Sequence, residues 1–430
     1  MKKIDNKAFF WEKFDENEKP INPKECQIIF NPKVGGELNF LLNLDEEYNE
    51  NKYKKNIDKM YGIAKGGKPF TLINIKVVEP PLVNINTRLE LTEIKYSIEY
   101  IYYGGWINLE SQIEMMHIRY SYLELWFNQM QSKRPFHDNE KIISQITVNK
   151  ESLKGNTSEY NLLFNINNTG TQNIFNNKII TFESKNSLAI YKTEKFEIKK
   201  SLDLAFQIKS FFEIMTFYSD NKIFIEELKL SLSNGEIVEL LFKQDDYIEE
   251  KEMSHIDFLL RYKDIKDNFV QVLNNWIENY DNNKNEYGAF CNVISDKDSK
   301  FNIYTHYFQL ISALEGYFNN NFKENIEFRK KLNQLIIKSE IKTLFPLNSS
   351  IHQSISNTIF DMRNDLAHSK KVIEINNRVK SSFEYIKIVT LLLMMKDVSL
   401  NHNNISKHIL DFDLNSIEKN LIESFSKTGK

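Results

Sequence analysis

The feature that most constrains this chain is a change of hydrophobic period part-way along it. Up to about residue 242, apolar residues recur at every second position, the repeat of a strand with one buried face. Ile94, Tyr96, Ile98, Tyr100 and Tyr102 follow it, as do Ile118, Tyr120 and Tyr122. Beyond residue 256 the spacing becomes 3 and 4, which is one stripe of an α-helix. The two periods demand different elements, so the chain is expected to fold in two parts. The class expected is α+β: a strand-rich N-terminal domain over residues 1–245, then an all-α bundle over 256–430 with its core at about 300–400. The polar run KQDDYIEEKEMSH, Lys243 to His255, lies between them.

Within the first part, Leu72 to Val78 reads as a strand entered from a hairpin turn at Gly66-Gly67. Ile142 to Val148, Ile179 to Phe182 and Ser187 to Tyr191 read as strands too. Ile223 to Leu232 and Glu236 to Phe242 flank Asn234-Gly235, the strongest hairpin signal in the chain. Leu204, Ile208, Phe211 and Met215 have helical spacing, which predicts a helix packed on the sheet. In the second part a first stripe runs through Tyr262, Ile265, Phe269, Val272, Trp276 and Tyr280, and polar DNNKNE follows it. Further stripes are Tyr307 to Phe318, Phe328 to Ile336, Ile355 to Leu366, Val379 to Leu393 and Leu414 to Phe425. The fourth helix is predicted to start at Ser349-Ser350, a pair competent to cap it. Short connections favour an up-and-down bundle.

Composition narrows the function classes. Net charge is -3, so nucleic-acid binding would need a local basic patch. The two cysteines, Cys26 and Cys291, stand far apart, which argues against a disulfide framework and a cysteine metal site. The N-terminal MKKIDNKAFFWEKFDENEK lacks the apolar core of a signal peptide. The most apolar run, Ile388 to Met395, falls far short of a bilayer span. The expectation is a cytoplasmic protein with no membrane partner and no cofactor.

The run Arg363-Asn364-Asp365-Leu366-Ala367-His368 closes the fourth helical stripe. An arginine and a histidine suit metal-free RNA cleavage. The ribose 2'-hydroxyl supplies the nucleophile, imidazole accepts its proton, and guanidinium neutralises charge on the scissile phosphate. Asn364 and Asp365 are placed to orient the histidine or contact phosphate. On a regular helix Arg363 and His368 stand ~140° apart. They converge if His368 lies at the helix end, or between two protomers. The spacing alone fits better a capping histidine beside a solvated arginine.

This run resembles the R-polar-x-x-x-H signature of the HEPN superfamily, and YFQLISALEGYF, Tyr307 to Phe318, resembles the matching helix of ApeA-like anti-phage proteins. The likeness covers about Ile256 to Leu400. Layout and GKPFTLINI, Gly67 to Ile75, extend it more loosely into the first part. The resemblance implies a dimeric endoribonuclease acting by abortive infection in phage defence, with tRNA among its candidate substrates and a phage-derived trigger. Products would be a 2',3'-cyclic phosphate and a 5'-hydroxyl. Arg363 and His368 would be the catalytic pair, Asn364 the polar residue, and Glu315 an acidic residue that positions Arg363. Lys370, Lys371 and Arg378 surround the motif as candidate RNA-backbone contacts, and Arg329, Lys330 and Lys331 begin a second basic cluster; a solvated helix face explains either.

Other constellations carry less. His402 and His408 are six apart, a poor zinc spacing, and no metal site is expected. His306 and His352 read as solvated or capping residues. The rival to a nuclease is a non-catalytic HEPN module for dimerisation or for nucleotide or RNA binding.

Overall fold

The structure, a computed structural model, describes residues 1–43, 56–79, 91–108, 110–123, 126, 130–132, 136–138, 141–143, 146–148, 152–156, 161–172, 180–215, 223–245, 247–248, 258–260, 262–295, 303–322, 324–368, 376–405 and 414–426. They form two compact units. The first holds Met1–Glu124, Gln129–Ala205 and Ile223–Glu252; the second holds Leu125–Asn128, Phe206–Lys222 and Met253–Lys430.

The first unit is built on antiparallel strands: β1 (Ile4–Trp11), β2 (Lys24–Asn31), β3 (Gly35–Asn43), β4 (Asn56–Ala64), β5 (Lys68–Glu79), β6 (Leu91–Tyr103) and β7 (Gln112–Tyr120). Four short strands, β8 (Met130–Ser132), β9 (Phe136–Asp138), β10 (Lys141–Ile143) and β11 (Ile146–Val148), form two small ladders, β8 with β11 and β9 with β10. Then come β12 (Ser152–Asn156), β13 (Asn161–Gln172), β14 (Ile180–Glu197), β15 (Ile225–Leu232) and β16 (Ile237–Phe242). Strands β6-β3-β2-β1-β4-β5 are neighbours in that order, and β5 pairs back onto β6, so six strands close into a barrel. Closure removes the free edges that an open sheet would expose. Thirteen-residue β6 serves two partners along its other edge: Leu91–Ile98 pairs with β3, and Tyr100–Tyr103 pairs with β16. From β16 the sheet continues through β15, β7, β14, β13 and β12.

Alternation explains the barrel core. On β2, Cys26, Ile28 and Phe30 are buried while their neighbours are not. Phe10 meets Phe40 at 4.9 Å between ring centres, and Phe40 stacks on Tyr96 at 5.8 Å. Gly62 is required where β4 crosses this core, because a Cβ there would overlap the Phe70 ring and the Phe9 carbonyl. The expected hairpins are present. Gly66 and Gly67 turn β4 into β5 at φ 90° and 77°, and Gly235 turns β15 into β16 at φ 85°. The sequence pattern names no strand before Leu72, yet β1 to β4 lie there.

The second unit is helical. Helix α1 (Ile198–Met215) ends in it; the others are α2 (Tyr262–Ile265), α3 (Phe269–Tyr280), α4 (Lys284–Ser295), α5 (Ile303–Asn321), α6 (Phe328–Lys338), α7 (Ile341–Leu344), α8 (Ser349–His368), α9 (Asn377–Asp397) and α10 (Asn415–Phe425). Its core is aromatic. Trp276 stacks on Tyr287 at 4.7 Å, and its indole N–H donates to the Gln207 carbonyl at 2.8 Å. Trp126 packs on Phe212, Tyr262 and Phe269 and donates to the Leu260 carbonyl at 2.7 Å.

Three points refine the sequence reading. The first half of α1 does meet the sheet, since the Tyr120 hydroxyl of β7 donates to the Ala205 carbonyl. Its second half carries Phe211 and Phe212 into the helical core instead. The sequence pattern assigns no element to polar DNNKNE, yet Asp281–Asn283 is a 3-10 turn that leads directly into α4, whose Tyr287, Phe290 and Cys291 are buried. The cap of α8 is Asn348, whose carboxamide oxygen accepts from the Ile351 N–H at 2.9 Å, not the serine pair. Among the described residues, no helix is long and apolar enough to cross a membrane.

Candidate active site

Three helices build the site. Helix α5 buries Leu310, Ile311, Leu314 and Phe318, which leaves Glu315 at the margin of its apolar stripe. Helix α6 buries Phe328, Leu332, Leu335 and Ile336, with Lys331 on the same face. Helix α8 buries Ile355, Ile359 and Met362, which puts Arg363 at the edge. There Arg363 Nη2 lies 3.3 Å from Glu315 Oε2, with side chains 32% and 29% exposed. The Arg363 guanidinium rests over the Phe328 ring at 5.4 Å. The other carboxylate oxygen, Oε1, lies 3.5 Å from Lys331 Nζ, which also donates to Asn319 Oδ1 at 2.8 Å.

One carboxylate thus sits between two cations. At this exposure the Arg363–Glu315 pair contributes up to ~1 kcal/mol to stability. Its larger effect is orientation. One face of the guanidinium is against Phe328 and one nitrogen is on Glu315. Its remaining N–H groups have no protein acceptor among the described residues and are free for an anion. Such a planar cation, held at the rim of a bundle, is suited to a phosphodiester oxygen.

His368 is the last residue of α8, which stays helical throughout Arg363 to His368. Backbone geometry therefore sets the two residues ~140° apart in rotation and ~7.5 Å apart along the axis. The side chain of His368 is outside what the structure describes. Asn364 is half-buried and Asp365 exposed, and neither joins the Glu315 cluster. Lys370 and Lys371 lie outside the described residues. Arg378 is engaged elsewhere. Its Nε donates to the Ser424 carbonyl at 3.1 Å, and its guanidinium lies over Phe425. It fastens the last turn of α10, where a cation complements the helix C-terminus.

The second basic cluster divides. Arg329 is exposed and rests over Phe360 of α8 at 4.3 Å. Lys331 is not on a solvated face but buried, its side chain 9% exposed. Its place was legible, since it falls three residues after Phe328 and four before Leu335. His306 and His352 are buried rather than solvated, and His352 Nδ1 meets the Tyr385 hydroxyl at 2.9 Å. Burial, with Lys342 nearby, pushes the His352 imidazole below its ordinary range. His402 lies in a short 3-10 turn, and His408 is outside the described residues. Among the described residues, no three His, Cys, Asp or Glu side chains are grouped to hold a metal ion.

Sequence reasoning also missed a half-buried acid. Asp397, at the end of α9, accepts from the Tyr287 and Tyr317 hydroxyls at 2.7 Å each. Burial raises its carboxyl above the usual carboxylate range, against the opposing pull of those two hydroxyls and Lys338.

A family model described as ApeA N-terminal domain 1 matches residues 6–276. The chain belongs to that family. The ApeA match spans the barrel, the extended sheet and the helices as far as Trp276. It stops upstream of Glu315, Arg363 and His368, so the roles of those residues rest on their geometry and chemistry. No curated protein and no solved structure matches the chain.

Proposed function

We propose that this ApeA-family chain is a metal-independent endoribonuclease of HEPN type, acting in anti-phage defence by abortive infection. The observation that carries the reading is the fixed Arg363: held by Glu315 and Phe328 at the edge of α8, on the helix that ends in His368. In the reaction, His368 accepts the proton of a ribose 2'-hydroxyl. The 2'-oxygen attacks the adjacent phosphorus and the P–O5' bond breaks. Arg363 neutralises the charge that builds on the phosphoryl oxygens. The products are a 2',3'-cyclic phosphate and a 5'-hydroxyl, and DNA, which lacks the attacking group, is inert. The sequence resemblance puts tRNA first among the RNAs to be tried.

The regular helix favours a site shared by two copies. With ~140° between them, Arg363 and His368 of one chain face different directions. Arg363 of one protomer and His368 of its partner avoid that separation across an isologous contact. The first unit would then restrain or trigger the nuclease in response to a phage product. The same rotation also favours the rival reading, a bundle that binds RNA or a second copy without cutting. Purified protein incubated with mixed RNA in EDTA separates the two. Cleavage with cyclic-phosphate ends, lost in His368→Ala and in Arg363→Ala, supports the nuclease; intact RNA in a stable complex supports the rival.

A further inference from the structure

Lys331 is an unusual lysine for a chain whose lysines are mostly surface residues. It belongs to an Arg-Lys-Lys run in which Arg329 and Lys330 are exposed, yet its own side chain is 9% exposed. A buried ammonium is costly unless its charge and its donors are met. Here Asn319 Oδ1 at 2.8 Å takes one N–H, and Glu315 Oε1 at 3.5 Å supplies the opposite charge. The Phe318 ring lies 5.9 Å from the same nitrogen. Glu315 uses its other oxygen for Arg363. The order is therefore Asn319, Lys331, Glu315, Arg363, running from two anchors on α5 and α6 to the half-buried guanidinium on α8.

We propose that Lys331 is a positioning residue for the candidate site, setting the direction of Arg363 through Glu315; this rests on the nuclease reading. A carboxylate with one cation partner can swing with that partner. A second cation, fixed by burial and by Asn319, holds Oε1 in place and leaves Oε2 aimed at Arg363. It also prevents Glu315 from neutralising Arg363 completely, since one negative charge is divided between two positive ones. Arg363 keeps net positive character for a phosphate that gains charge in the transition state.

The experiment compares parent, Lys331→Met, Lys331→Gln, Asn319→Ala, Glu315→Gln and the double variant Lys331→Met with Glu315→Gln, with thermal melts as a folding control. The readout is kcat and KM on RNA in EDTA. Lys331→Met is expected to lower kcat about tenfold with KM nearly unchanged. Lys331→Gln, which keeps an N–H donor in that space, recovers part of the loss. Asn319 is exposed, so Asn319→Ala keeps the fold and is expected to lower kcat several-fold by loosening Lys331. If Lys331 acts through Glu315, the double variant is no slower than Glu315→Gln alone. A folded Lys331→Met or Asn319→Ala with parental kcat overturns the proposal, as does a double variant whose losses simply multiply. Should the Lys331 variants not fold, Asn319→Ala decides alone. A parent protein that leaves RNA intact instead removes the nuclease reading, and this inference falls with it.

Discussion

Replacing Tyr317 by phenylalanine removes one of the two hydroxyls that hold the half-buried Asp397. A hydrogen bond to an ionised group contributes ~1.5–3 kcal/mol. For a domain of about 150–250 residues each kcal/mol moves the melting midpoint ~2–4 °C. The expected fall at neutral pH is thus about 3–12 °C. The pH dependence is the sharper test. Burial holds the Asp397 carboxyl above its ordinary value in the folded protein. Its contribution to stability is therefore full below the unfolded value, ~3.9, and is lost as pH rises through the higher folded value. Losing a hydroxyl that lowers that value raises it further. The gap between parent and Tyr317→Phe should then be small near pH 4 and widen towards pH 8. Circular dichroism melts across that range measure it. A gap that is flat with pH would refute the reasoning, because the loss would then be one of packing and not of a bond to a charge.

Gly62→Ala forces a methyl group against Phe70 in the barrel and is expected to cost ~1–3 kcal/mol in denaturant unfolding; an unchanged midpoint would show that β4 and β5 stand further apart. Arg363→Ala and His368→Ala are each expected to lower RNA cleavage by about 10²-fold or more. A mixture of the two variants, refolded together, recovers cleavage if the working pair spans two protomers and stays inactive if it lies within one chain. Arg378→Ala breaks the tie to Ser424 and Phe425, and hydrogen exchange should accelerate in Asn415–Phe425 while stability falls by only ~0.5 kcal/mol. No change in exchange there would mean that Leu421, Phe425 and the Ser381 hydrogen bonds to Asn420 and Ser424 suffice to hold α10.

The division between strands and helices was legible because period is a local property. β6 shows Ile94, Tyr96 and Ile98 on one face, as the sequence pattern requires. Barrel closure was not legible, because it depends on which strand meets which, and β6 meets three. Strands β1 to β4 carried their signal in plain view, in the alternation of Cys26, Ile28 and Phe30, but Ile29 breaks the apolar–polar contrast within β2. The helix that begins within polar DNNKNE was hidden for a different reason. The polarity of that run is real, yet a 3-10 turn tolerates polar residues while the chain stays wound, and the stripe resumes at Tyr287.

At the site, the difference between what was and was not legible follows from distance along the chain. Arg363 and His368 share one helix, so a motif displays them together. Glu315 lies 48 residues away, and a resemblance alone suggested it; the contact at 3.3 Å gives that suggestion a physical content. Lys331 was visible only as part of a basic run, and a run says nothing about which member turns inward. The apolar stripe decides that, since Phe328 and Leu335 place residue 331 on the buried face. The same reasoning applies to Arg363. It is not a free surface cation that happens to precede a histidine, because a carboxylate and an aromatic ring fix its direction before any ligand arrives. A group that is oriented in advance loses less freedom when it binds a developing charge, and that is the property a transition-state cation needs. A solvated arginine would gain nothing from Glu315, and the two readings therefore part on whether Glu315→Gln changes kcat.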